Sequence, residues 1–76
     1  MPEPQSQSQS ATHTGRNLRA ARHAAGLKIA EVAVALGCTT DTIYRWEQGV
    51  HEPPLSTLRR LATLYGTAVA DLVADA

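Results

Sequence analysis

Phenylalanine is missing from this 76-residue chain, and one Trp and two Tyr make up its aromatic content. A core without many large rings must be assembled from branched aliphatics and alanine, and in one domain this short it is small and stability is marginal. Neither sign of charge is in excess: seven Lys and Arg stand against seven Asp and Glu, for a formal net charge of zero. That balance argues against strong, indiscriminate attraction to polyanions. The single cysteine, Cys38, excludes an internal disulfide and fits a reducing compartment. No apolar run approaches the roughly 20 residues that span a bilayer, and the first residues lack the basic and apolar regions of a signal peptide. A cytoplasmic protein without membrane contact is expected. Ligand spacings such as CxxC or HExxH, a Gly-rich phosphate loop and a nucleophile elbow are absent as well. His13, His23 and His51 therefore read as solvent-facing, and no enzyme, metal, cofactor or small-molecule ligand is expected.

What the chain does contain falls into two parts. Residues 1–14, rich in Gln, Ser and Pro, have no apolar periodicity and are read as a disordered tail ahead of the domain of residues 15–76; only His13, beside Arg16 at the domain edge, offers it positive charge for contact with DNA. Beyond it the pattern is all-α. A first helix is expected from about Arg16 to Ala25, with Leu18, Ala21, Arg22 and Ala25 inward and Gly26 as its stop. A fourth should open at Pro53 and Pro54, where a first helical turn tolerates the missing N–H, and bury Leu58, Leu61, Ala62 and Tyr65. Ala68 to Val73 should form a short fifth. The predicted core is Leu18, Leu27, Val32, Leu36, Ile43, Trp46, Leu58, Leu61 and Leu72, with Trp46 at its centre.

The most informative stretch lies between these, IAEVAVALGCTTDTIYRWEQ from Ile29 to Gln48. Ile29, Val32, Ala33 and Leu36 recur at helical spacing, and Gly37 follows the last of them, suited to the left-handed backbone of a helix C-terminus. Thr39 can then cap a third helix through its hydroxyl, and Ile43 and Trp46 repeat on one side of it. Ala33 sits where the two helices would approach most closely, and its methyl group permits a short interaxial distance.

This pattern resembles the helix-turn-helix of the Cro and phage-repressor family, also called the XRE or lambda-repressor-like family. The likeness starts near Arg16 and continues through RAARHAAGLKIAEVAVALG and TTDTIYRWEQG to PPLSTLRRLATLYGTAVADLV. It implies a compact five-helix fold in which the helix from Thr39 to Gln48 enters the major groove of duplex DNA. It further implies that the chain is a transcriptional regulator, acting as a repressor and as a homodimer on a palindromic operator with half-sites about one helical turn apart. A protein-interaction module on the same fold, antitoxin-like or regulatory, with weak or lost DNA binding, is the competing reading. With no ligand-binding domain after the helix-turn-helix, small-molecule control would have to act through something else.

By the same resemblance Thr40, Asp41 and Arg45 hold the positions that most often touch base edges. Arg45 can give guanine O6 and N7 two parallel hydrogen bonds, or be a solvated surface arginine. Asp41 can accept from cytosine N4, or favour the helix dipole from the first turn; both readings stand here. Tyr44 can bond a phosphate or lie over the helix pair, and Thr39 is assigned to the backbone as well as to the cap. Lys28 stands where the family commonly has Ser, Thr or Asn. Beside a bound phosphate its charge is favourable, and without one it is a mildly unfavourable, extended side chain. Arg16 and Arg19 are free to reach phosphates. Arg22 and Glu47 match the family's partly buried salt bridge, which would withdraw Arg22 from DNA. Two departures weaken binding: Ile29 replaces a frequent glutamine, and Val50, His51 and Glu52 stand where relatives carry Lys or Arg. Ala30 and Val34 leave the outer side of the second helix apolar.

Overall fold

A computed structural model describes the backbone of residues 4–75 and side chains from residue 13 onward. Among the described residues glycine and proline punctuate the chain into five helices: α1 (Pro4–Ala24), α2 (Ile29–Leu36), α3 (Thr40–Gln48), α4 (Leu55–Tyr65) and α5 (Val69–Val73). No strand occurs among the described residues, so the fold is all-α. Gly37 shows why the punctuation works. At φ 72° it turns the chain left-handed, its N–H reaches Val34 O, and Cys38 N–H reaches Ala33 O, which satisfies carbonyls that the end of α2 would leave open. Three residues then suffice to start α3.

Two boundaries differ from the sequence expectation. α1 reaches back to Pro4 and not to about Arg16, since between Pro4 and Thr14 the chain holds no glycine or further proline to end a helix. Of the segment read as a disordered tail, residues 1–3, and the side chains of residues 1–12, lie outside the described residues. Packing begins at Thr14, which is buried and donates through Oγ1 to Glu52 Oε2 at 2.8 Å, tying α1 to the loop ahead of α4. α4 starts at Leu55, with Pro54 as an extended N-cap (φ −62°, ψ 160°) rather than inside the first turn.

The core brings together Leu18 of α1, Val32 and Ala33 of α2, Ile43 of α3, Leu58, Leu61, Ala62 and Tyr65 of α4, and Leu72 of α5. Trp46 is not its centre. Ile43 and Glu47, one turn apart, take the innermost stripe of α3, so the intervening Trp46 is rotated to the flank, where it packs partly buried like Leu27 and Leu36. Ala25, expected inward, is exposed because α1 has already ended at Ala24. Ala33 is 4% exposed and lies in the core cluster, and α2 packs against α3.

α1 packs on both α3 and α5. Asn17 closes the second contact, its Nδ2 donating to Leu72 O and Ala74 O at 3.0 and 2.7 Å. At the first, Gly15 lets backbones nearly touch: a Cβ there would lie 2.6 Å from Glu47 O and 3.0 Å from Trp46 O. α1 thus backs the C-terminal part of α3.

Candidate nucleic-acid interface

The direction in which α3 presents its side chains is fixed by one buried ion pair. Arg22, in the last turn of α1, donates through Nε to Glu47 Oε2 at 2.7 Å and through Nη2 to Glu47 Oε1 at 3.0 Å. Its Nη1 donates to Leu27 O at 3.0 Å, so one guanidinium joins α1, α3 and the segment leading into α2. Both side chains are almost wholly removed from water. The hydrogen bond to Glu47 raises the Arg22 pKa above its ordinary value against the opposing effect of desolvation. Nearby Tyr65 has its pKa pushed up to about 12, first by burial and second by the negative charge of Glu47. Arg22 is fully engaged here and faces the core.

With Ile43 and Glu47 inward, helical geometry turns Thr40, Asp41, Tyr44 and Arg45 outward, and all four are exposed. Thr39 starts the helix as its N-cap, accepting the Thr42 N–H at 3.3 Å, and its hydroxyl lies 3.0 Å from that of Thr42. Tyr44 is 52% exposed, which leaves about half of its side-chain surface open to solvent.

Asp41 and Arg45 are not independent. Arg45 Nε donates to Asp41 Oδ2 at 2.8 Å, an i,i+4 pair with both side chains more than half exposed. Sequence reading treated the two residues separately, although their four-residue spacing with the acid first is a recognised pairing signal.

At the start of α2, Lys28 is the N-cap and is exposed, but its ammonium has no lone pair with which to cap. The end is closed from the other side: Glu31 Oε1 accepts the Lys28 N–H at 2.7 Å. A carboxylate in the first turn already complements the helix dipole there. Arg16 and Arg19 are exposed on α1, the helix that packs behind α3. The structure therefore joins Asp41 to Arg45 and Arg22 to Glu47, and leaves Lys28, Thr40, Tyr44, Arg16 and Arg19 presented to solvent. Among the described residues no three His, Cys, Asp or Glu side chains gather as a metal-binding group, and no helix is long and apolar enough to cross a membrane.

Two short helices joined by a three-residue turn, the second buried on one face and bare on the other, define a helix-turn-helix unit. The comparisons agree with this geometry. A family model described as a helix-turn-helix domain matches residues 13–75. A protein of Pyrobaculum aerophilum, named as an HTH-type transcriptional regulatory protein, is 42% identical over 52 residues, covering 68% of this chain and 21% of its own length. The cryptic phage CTXphi transcriptional repressor RstR of Vibrio cholerae is 38% identical over 60 residues, covering 79% of this chain and 51% of its own. The chain spans about a fifth and about half of these two relatives, and no solved structure gives a significant match. The chain belongs to the helix-turn-helix family, of the Cro and phage-repressor type.

Proposed function

We propose that this chain is a sequence-specific, duplex-DNA-binding transcriptional regulator that acts as a repressor. The observation that carries the reading is the bare leading face of α3, with Thr40, Asp41, Tyr44 and Arg45 exposed on a helix whose other face is locked by Arg22 and Glu47. A major groove of B-DNA is wide enough to admit such a helix. Thr40, Asp41 and Arg45 address base edges, while Thr39, Tyr44, Lys28, Arg16 and Arg19 address phosphates. Both relatives are named as regulators of transcription, and one as a repressor, which supports the same assignment.

The zero net charge and the Asp41–Arg45 pair leave little surplus positive potential for a single copy to hold DNA. Two copies on a palindromic operator double the contacts, and a homodimer is the working form in this proposal. Cytoplasmic location goes with it.

Binding of the full chain to a random-sequence duplex, followed from low to moderate salt, tests the assignment. Affinity should fall steeply as salt rises, because each neutralised phosphate releases counterions. No binding at low salt, or binding indifferent to salt, contradicts it and favours a protein-interaction role.

A further inference from the structure

We propose that Asp41 sets the presentation of Arg45 to a guanine, so that the two side chains read DNA as one coupled unit. The inference rests on the major-groove reading of α3 and assigns Asp41 a positioning role within it. An exposed arginine samples many rotamers, and docking it against one base edge costs the entropy of choosing among them. The 2.8 Å bond from Nε to Asp41 Oδ2 makes that choice in advance. Asp41 lies one turn nearer the start of α3, so the bond draws the guanidinium toward the end of the helix that leads into the groove.

The atoms used matter as much as the direction. Because Nε is taken, the two terminal amino groups, Nη1 and Nη2, remain to donate, and they match guanine O6 and N7 as an end-on fork. A side-on approach through Nε would have to break the pair. Oδ1 of Asp41 lies outside the bond and can accept from an exocyclic amino group, cytosine N4 or adenine N6, on an adjacent base. Since the pair is neutral as a whole, it contributes selectivity and little to salt-dependent attraction. A merely decorative surface pair predicts otherwise: removing Asp41 would delete a negative charge, strengthen binding to all sequences alike and leave base preference untouched.

The test uses the full chain and a site recovered by selection from random duplexes. Asp41→Ala, Asp41→Asn, Arg45→Ala and the double variant Asp41→Ala/Arg45→Ala are compared on that site, on its single-base variants and on random duplex. Both positions changed are exposed, and thermal melts within a few degrees of the parent confirm intact folds. Asp41→Ala should lower the preference for one guanine by about tenfold, at the same base pair that Arg45→Ala affects, while binding to random duplex holds or tightens. At that base pair the double variant should discriminate no worse than Arg45→Ala. Unchanged guanine preference in Asp41→Ala, losses confined to other base pairs, or additive losses at that guanine in the double variant overturn the coupling alone. A parent chain without salt-dependent DNA binding overturns the coupling and the DNA reading together.

Discussion

Replacing Arg22 with methionine keeps much of the side chain's bulk and deletes its charge. Glu47, 8% exposed, then loses both hydrogen bonds and the cation that offsets its desolvation, and Leu27 O loses its donor. Removing one member of a buried pair typically costs about 3–5 kcal/mol. A chain of 76 residues has a total stability of only about 4–11 kcal/mol at the usual per-residue value. Arg22→Met should therefore lower the midpoint of urea unfolding by about a quarter or more of the parent value, measured by far-UV circular dichroism with the slope unchanged. The double variant Arg22→Met/Glu47→Leu removes both charges together and should recover most of the loss. A single variant within about 1 kcal/mol of the parent, or a double no better than the single, would refute the view that this pair anchors α3.

Four further outcomes are expected. Gly15→Ala should destabilise by about 1–3 kcal/mol, because its Cβ meets the Glu47 and Trp46 carbonyls, although helix propensity alone predicts a gain of about 1 kcal/mol; the sign of the shift in melting temperature decides. Gly37→Ala meets no neighbour within 4 Å, yet at φ 72° it should still cost about 1–2 kcal/mol in the same melt, through backbone strain alone. Leu61→Ala, at 1% exposure in the parent, should cost about 2–5 kcal/mol in denaturant unfolding. For Tyr65, a folded pKa pushed up to about 12 against about 10 unfolded means that the native state binds more protons at high pH. Its contribution is complete below pH 10 and is lost as pH rises toward 12, so unfolding midpoints should fall across that window by more than in Tyr65→Leu.

Much of this architecture could be read from residue types and spacing, for identifiable reasons. The stripe of Ile29, Val32, Ala33 and Leu36 followed by Gly37 is a local pattern, and a local pattern suffices to specify α2, its left-handed end and the turn into α3. Thr39 as cap was legible for the same reason. Trp46 misled because size suggests centrality, whereas the stripe of α3 is centred on Ile43 and Glu47, and a glutamate enters a core only through a distant partner. Gly15 carried no signal, since its role comes from the approach of α3, far along the chain. The reach of α1 to Pro4 was hidden by a Gln and Ser run that lacks an apolar stripe. The Asp41–Arg45 pair is legible in the i,i+4 spacing, whereas the choice between pairing and separate base contacts depends on side-chain geometry.

Whether α3 is the surface that meets DNA is most directly measured by titrating a selected duplex into isotopically labelled chain and following backbone amide resonances. Shifts or broadening concentrated from Thr39 to Arg45, with a second group at Lys28, are expected. Changes centred on α4 and α5, with the α3 amides undisturbed, would contradict the assignment.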